Sequence, residues 1–153
     1  MIARLDKFLT DDRARPDLKG SRRLIVEFLY FGAKEARSCL FAGLFFISVF
    51  GVPRNGLFGV PRYDLLLLIA LAIQAWMVWF KLETFDELKA ICLFHVVGFA
   101  LEVFKTSGQI GSWSYPDPAY TKVFGVPLFS GFMYAAVGSY IIQAWRLLDL
   151  RIR

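Results

Sequence analysis

The sequence is poor in the residue types on which metal binding and nucleophilic catalysis depend. Its 153 residues include one histidine and two cysteines, Cys39 and Cys92, which have neither CxxC nor zinc spacing. Because a structural zinc site takes about four such ligands, neither a metal nor another cofactor is expected. Glycine-rich phosphate loops and nucleophile elbows are also absent. Kinase, nucleotide-binding and hydrolase functions therefore have no support.

Charge is scarce along most of the chain and concentrated at its start. Charged residues make up 20% and hydrophobic residues 57% of the chain, with a mean hydropathy of +0.50, whereas nine of the 18 Lys and Arg precede residue 38. A soluble domain is less apolar and more charged. Since an apolar segment follows the basic one directly, we expect a cytoplasmic juxtamembrane tail and no nucleic-acid partner. Both cysteines fall in apolar segments and are predicted to be buried. No cleavable signal peptide is predicted.

Four apolar segments predict an all-α membrane bundle of about four transmembrane helices. Residues 1–37 would form a basic cytoplasmic tail and an amphipathic helix, and residues 38–153 the transmembrane domain. The predicted spans cover residues 38–52, 63–80, 88–104 and 123–145. A bilayer core takes about 20 apolar residues of helix. The first span therefore has to borrow turns from the amphipathic helix, and the third has to include Glu102.

The basic residues predict the orientation in the membrane. With four spans, both termini and the 81–89 loop share one side, which carries 14 Lys and Arg, against four on the other side. The positive-inside rule then places both termini in the cytoplasm and the 105–122 loop outside. The tetrapeptide FGVP occurs at residues 50–53, 58–61 and 124–127 and is predicted to mark span boundaries.

A polar seam is predicted on the third span, where residues 94–105 read FHVVGFALEVFK. His95 and Glu102 lie about 20° apart around a helix, Lys105 lies about 60° further on, and Cys92 lies about one turn before His95. Ionisable side chains inside a membrane normally face protein or a water-filled cavity. In one interpretation Glu102 and Lys105 form an ion pair, and His95 bonds a Ser or Tyr of a neighbouring span. In the other, Glu102 is a catalytic acid and His95 a proton relay or ligand partner.

Further candidate residues lie after this seam. Trp113 belongs either to an aromatic belt at the outer interface or, with Tyr115, to the mouth of a pocket above Glu102. The predicted substrate-binding residues are Lys105, Trp113, Tyr115, Tyr134 and Ser130. A small-residue stripe of Gly131, Ala135 and Ser139 is predicted to let another helix approach closely.

Several segments resemble a bacterial membrane family known as domain of unknown function 817. They are VPRYD (60–64), EVFK (102–105), GSWSYP (111–116), GVPLFSGFMYAAVGSY (125–140) and WRLLDLR (145–151). The resemblance implies no established activity. Family members continue with further membrane segments, so it implies a short or truncated member. HVVGFALE, GSWSYP and GVPL also resemble, in outline, carotenoid hydratase and lycopene cyclase-type membrane enzymes, which implies acid chemistry on an isoprenoid.

These observations leave several functions open. The first hypothesis is an integral membrane protein of unassigned activity. The alternatives are a membrane-embedded enzyme that converts an isoprenoid or carotenoid-like lipid by acid catalysis with Glu102 and His95, a proton-coupled transporter or binding subunit, and a non-catalytic subunit that pairs through Gly131. The expected partners are the lipid bilayer, a lipid-soluble ligand, and a second copy or another membrane subunit.

Overall fold

Five α-helices and one small hairpin make up the part of the chain that the computed structural model describes, which is Leu9 and residues 19–148. In chain order they are α1 (Ser21–Ser38), α2 (Leu40–Gly51), α3 (Arg62–Trp79), α4 (Phe85–Thr106), β1 (Lys122–Val123), β2 (Val126–Pro127), a 3₁₀ turn (Leu128–Ser130) and α5 (Gly131–Leu148). The predicted all-α class is confirmed. Most of the predicted basic tail, and the basic residues Arg151 and Arg153, lie outside the described residues.

The helices match the predicted apolar segments with one correction. The fourth was predicted to run from residue 123, but residues 122–130 form the hairpin and the 3₁₀ turn, and α5 begins only at Gly131. The reason is local, because Gly125 has a φ of 80° and Pro127 cannot donate a helical hydrogen bond. By length and composition, α3 is the one described helix that could cross a membrane, and 33% of it is buried. α2 is as apolar but has only 12 residues.

The FGVP copies lie at helix boundaries, as predicted, and two of them form the same turn. Phe58 and Gly59 have φ values of 51° and 77°, and Phe124 and Gly125 have values of 53° and 80°. Each pair is flanked by a β-bridge, Leu57 to Val60 and Val123 to Val126. Positive φ at both central residues is the requirement of a type I′ hairpin turn. The repeated tetrapeptide therefore encodes a repeated turn.

The core draws its buried apolar residues mainly from α2, α3 and α5, and α5 makes the broadest contacts, against α4, α1 and α2. α4 and α5 approach closely because glycines face aromatic rings across their interface. A Cβ atom added at Gly98 of α4 would lie 2.3 Å from Cγ of Tyr134, and one at Gly138 of α5 would lie 2.7 Å from the Phe94 ring. α3 packs instead against α2 and the 3₁₀ turn. Consecutive helices α3 and α4 thus stand apart along their lengths.

Candidate functional site

Glu102 is the centre of a hydrogen-bonded cluster at one end of the bundle. Its side chain is buried, with the whole residue 1% exposed. Trp113 Nε1 and the Tyr115 hydroxyl donate to Oε2 over 3.0 and 2.8 Å, and the Tyr134 hydroxyl donates to Oε1 over 2.7 Å. Lys105 completes this group, which we call the Glu102 cluster. Four predicted substrate-binding residues, Lys105, Trp113, Tyr115 and Tyr134, therefore surround the predicted acid Glu102.

The interface between α4 and α5 explains how Tyr134 reaches the cluster. Gly98 lies one helical turn before Glu102, and the Tyr134 ring rests on the surface that Gly98 leaves open. Any larger residue at position 98 would occupy the space of the ring. A glycine on one helix therefore positions a hydroxyl of the next.

Lys105 forms the ion pair that the sequence predicts, although at long range. Its Nζ lies 3.9 Å from Oε1 of Glu102 and donates to the Tyr134 hydroxyl over 2.6 Å. The ammonium also lies 5.2 Å from the centre of the Trp113 ring. Three donors and one cation thus face the carboxylate, so Glu102 acts as a hydrogen-bond acceptor in this arrangement.

The Tyr115 hydroxyl is an unusually weak acid. Its burial, together with its hydrogen bond to the Glu102 carboxylate, raises the pKa of Tyr115 well above its ordinary value. Ser130 is fully buried close to Tyr115, but its hydroxyl forms no hydrogen bond with the described residues. Tyr115 therefore stays protonated and donates to Glu102 over the physiological pH range.

A second carboxylate, Asp64 at the start of α3, holds the far end of the loop between α4 and β1. It accepts hydrogen bonds from the backbone amides of Tyr120 and Thr121 over 2.8 and 2.9 Å, and from the Thr121 hydroxyl. Lys122 Nζ donates to the carbonyl oxygens of Tyr115 and Asp117 over 2.6 Å each. This role of Asp64 was not predicted, because its partners are mainly backbone amides.

His95 does not join the Glu102 cluster. Seven residues correspond to about 10 Å along a helix, so a shared face leaves the two side chains two turns apart. The interpretation that His95 bonds a neighbouring Ser or Tyr is wrong, because its buried Nδ1 has no partner among the described residues. The ring instead packs against Phe132, with the ring centres 4.5 Å apart, and against Gly131. The predicted seam is thus divided into two sites.

A cleft of about 930 Å³ lies beside His95, where α3 and α4 stand apart. Its walls are apolar apart from Gln74 and His95, and Cys92 also lines it. Cys39 and Cys92 are both exposed, so the prediction that these thiols are buried is wrong. Cys92 faces outward because the neighbouring helix does not cover this part of α4.

A second buried polar group, missed by the sequence reading, occupies the opposite end of the bundle. After α3 ends, Lys81 has a φ of 57°, and the amide of Leu82 bonds back to the carbonyl of Met77 over 2.8 Å. This left-handed helix end turns the two residues after Lys81, Leu82 and Glu83, into the core. Glu83 is 2% exposed and accepts hydrogen bonds from Gln74 and, over 2.5 Å, from Ser139.

The backbone of the same turn is tied to three other side chains. The Leu82 carbonyl oxygen accepts hydrogen bonds from Arg37, Gln143 and Arg146 over 3.2, 3.1 and 2.7 Å. The signal available in the sequence was a set of polar residues inside apolar helices, each of which needs a buried partner. Glu83 itself resembled an ordinary loop charge.

The small-residue stripe on α5 is buried within the chain. A Cβ atom at Gly131 would lie 2.7 Å from the backbone oxygen of His95, Ala135 is fully buried, and Ser139 bonds Glu83. Across the described residues, no three His, Cys, Asp or Glu side chains come together as metal ligands.

Comparison with known proteins identifies the family. Residues 27–153 match the model of a protein family of unknown function, DUF817. The chain is 52% identical over 130 residues to the uncharacterized protein YoaT of Bacillus subtilis (strain 168), an alignment that covers 85% of this chain and 48% of YoaT. The chain thus spans about half the length of that relative. No solved structure matches it. The match over most of its length shows that the chain belongs to the DUF817 family.

Proposed function

We propose that this chain is a multi-pass domain of the bacterial inner membrane that holds a lipid-soluble molecule between α3 and α4. The observation that carries the proposal is the cleft of about 930 Å³ with nearly all of its wall apolar. Binding sites for small molecules commonly have about 300–1,000 Å³ and mainly apolar walls. An apolar site that opens sideways between helices suits a ligand that arrives from lipid.

The exposure of apolar residues supports a membrane location. Phe50 is 86% exposed, and large apolar side chains on α3 and α4 are also exposed, among them Leu68, Leu93 and Phe104. A water-soluble protein seldom exposes so many large apolar side chains in contiguous helices. Lipid would cover them. Because α2 has only 12 residues, the first crossing would use the last turns of α1 together with α2, and α3 to α5 would make the other crossings, with the start of α1 at the cytoplasmic surface.

In this proposal the Glu102 cluster closes the outer end of the bundle. The carboxylate joins α4, α5 and the loop that carries Trp113 and Tyr115. A general acid needs a proton to give and a path to its substrate. Glu102 instead accepts three hydrogen bonds from the protein and does not line the cleft, which supports a structural role over acid catalysis. The likeness to carotenoid hydratases stays a prediction.

The native cysteines provide a test of the membrane location. In a Cys39→Ser variant, Cys92 is the remaining thiol, and lipid should protect it from a charged, membrane-impermeant maleimide in isolated membranes. Full reaction is expected after solubilisation in sodium dodecyl sulfate. Reaction of Cys92 in intact membranes as fast as in dodecyl sulfate would place α4 in water and refute the proposal.

Two matched variants test the orientation. In a background without Cys39 and Cys92, Gln109→Cys introduces a thiol into the outer loop and Lys89→Cys one near the start of α4, both at exposed positions. Intact cells should label only Gln109→Cys, and permeabilised cells should label both. The reverse pattern would contradict cytoplasmic termini.

Native mass spectrometry of the purified protein tests ligand binding. A lipid-sized adduct is expected in the wild type and should be lost in Leu71→Trp, whose larger side chain fills part of the cleft. The control variant Leu68→Trp replaces another exposed leucine of α3. Equal adducts in all three proteins would show that bound lipid is unspecific.

A further inference from the structure

The cleft contains a buried acceptor that no group in the described residues satisfies. Gln74, on the α3 wall, is only 7% exposed, and its Nε2 donates to the Glu83 carboxylate. Its Oε1 is buried and has no hydrogen-bond partner. Buried polar atoms without partners are uncommon, and those that occur often mark a site for a missing group.

The partner of Nε2 fixes the orientation of the Gln74 amide. Because a carboxylate only accepts hydrogen bonds, the amide nitrogen of Gln74 has to face Glu83, which leaves the amide oxygen for the cleft. An exchange of the two amide atoms would bring Oε1 against the carboxylate. Gln74, which lines the cleft, therefore keeps a buried acceptor that a donor from an occupant would satisfy.

His95 on the opposite wall is compatible with that occupant. Its ring lines the same cleft, but its unpartnered Nδ1 is buried against Gly131 of α5, so Nε2 is the nitrogen left for an occupant. A neutral imidazole has one donor and one acceptor nitrogen, so it can bond a hydroxyl in either sense. The remaining wall, which includes Leu67, Leu71 and Ile91, offers only apolar contacts.

From this geometry we propose that the cleft binds a neutral lipid-soluble alcohol whose hydroxyl donates to Gln74. The inference rests on the proposed function and adds the chemical class of the ligand. An anionic head group is disfavoured because the Glu83 carboxylate lies directly behind the Gln74 amide. A ketone, ester or ether is disfavoured because it lacks a donor. Binding requires a small rotation of the amide, since Oε1 lies just beneath the cleft wall.

The test is a competition between oleyl alcohol and oleyl methyl ether, which differ in the donor. Both are added in equal amounts to the detergent-solubilised protein, and native mass spectrometry measures the ratio of the two adducts, corrected for their ratio in empty micelles. One neutral hydrogen bond corresponds to about a five-fold preference. We expect the alcohol to be preferred by that factor in the wild type and by none in Gln74→Met.

A matched variant distinguishes loss of the Gln74 acceptor from general damage to the turn at residues 81–83. Gln143→Met removes a buried glutamine that bonds the Leu82 carbonyl and does not line the cleft. It should keep the wild-type preference. The readout is a ratio measured within one sample, so partial loss of folded protein does not alter it. The wild-type protein alone already tests the preference for the alcohol, even if a variant fails to fold.

The possible outcomes distinguish the two proposals. Equal binding of alcohol and ether, lost in Leu71→Trp, would overturn the alcohol assignment and leave the proposed lipid-binding function standing. Binding of neither probe would overturn both. Oxidative cross-linking of Cys92 between two copies, without binding of either probe, would assign the cleft to a helix of a second copy and overturn the ligand proposal. A preference for the alcohol that survives Gln74→Met would also overturn the role of Gln74.

Discussion

Two buried glutamates, one at each end of the bundle, are stabilised in different ways. Glu102 accepts three hydrogen bonds, and the Lys105 ammonium lies 3.9 Å away. Glu83 accepts two hydrogen bonds, from Gln74 and Ser139, and the Arg37 and Arg146 guanidinium groups bond the carbonyl oxygen of the preceding residue, Leu82. Both carboxylates are almost fully buried, so the contrast lies in the partners.

The difference shows which of the two positions requires a carboxylate. Both carboxylate oxygens of Glu102 accept hydrogen bonds from donors on separate segments. Trp113 Nε1 can only donate, so it requires an acceptor at this position. At Glu83, one neighbour is an amide whose own oxygen is unused. A neutral amide could therefore replace Glu83 more easily than Glu102. The four predictions below test this difference.

The largest effect is expected for Glu102→Ala. It removes the acceptor of three hydrogen bonds, and hydrogen bonds to a charged group contribute about 1.5–3 kcal/mol each, so a loss of about 3–5 kcal/mol is expected, since the partly exposed Lys105 ammonium can turn to water. The free energy of unfolding in detergent should fall by that amount. Asp86→Ala, which removes an exposed ion pair with Lys89, is the control and should have no measurable effect. Equal stability of Glu102→Ala and wild type would contradict a stabilising role of the Glu102 cluster.

Substitution by glutamine should separate the two glutamates. Glu102→Gln places an amide group against hydrogen-bond donors, and an unsatisfied buried group costs about 1–3 kcal/mol. Glu83→Gln should leave stability nearly unchanged, because its new amide can donate to Gln74 Oε1 once the Gln74 amide rotates, and its oxygen still accepts from Ser139. Chemical denaturation of both variants measures the difference. A larger loss in Glu83→Gln would reverse the comparison.

Tyr134→Phe should have a moderate effect. The hydroxyl links Lys105 to Glu102. Its loss removes the hydrogen bond to the buried Glu102 carboxylate, which contributes about 1.5–3 kcal/mol at most, and a solvent-screened bond from Lys105. We expect a net loss of about 1–2 kcal/mol, since Lys105 can then approach Glu102 directly. Tyr140→Phe, which removes a single 3.2 Å hydrogen bond to Glu35, is the control and should cost less.

The smallest effect concerns alkaline pH and Tyr115. An unfolded tyrosine has a pKa of about 10, and the folded environment raises the pKa of Tyr115. The stability that this shift contributes is therefore fully present below about pH 10 and is lost as the pH rises through the folded-state pKa. Tyr115→Phe should flatten the decline of stability above pH 10, measured by thermal unfolding. Tyr120→Phe, at an 85% exposed position, should leave the decline as in the wild type.

Periodicity and spacing predicted much of the Glu102 cluster. An acid inside an apolar helix has to find partners, which drew attention to Lys105, three residues away, and to Tyr134 and the aromatic loop. The same reasoning placed His95 in that site because it lies on nearly the same face. It failed there because angular position says nothing about the two turns that separate the residues along the helix axis.

Turn chemistry was only partly readable. The Gly and Pro of FGVP predicted helix boundaries. The turn type was not predicted, because the type I′ turn places a phenylalanine at positive φ, which is uncommon for a bulky residue. The start of α5 was placed too early for the same reason, since an uncharged apolar run does not reveal a hairpin inside it.

The sequence by itself determined that the chain is helical, where its apolar segments lie, and that a buried glutamate needs nearby partners. These features depend on hydrogen bonds within a helix and on the cost of burying charge, which are local properties. Only the tertiary structure decided that Glu83 turns inward, that Asp64 holds the loop, and that α3 and α4 leave a cleft with Gln74 on its wall. Those features depend on contacts between residues far apart in the chain, which no local pattern specifies.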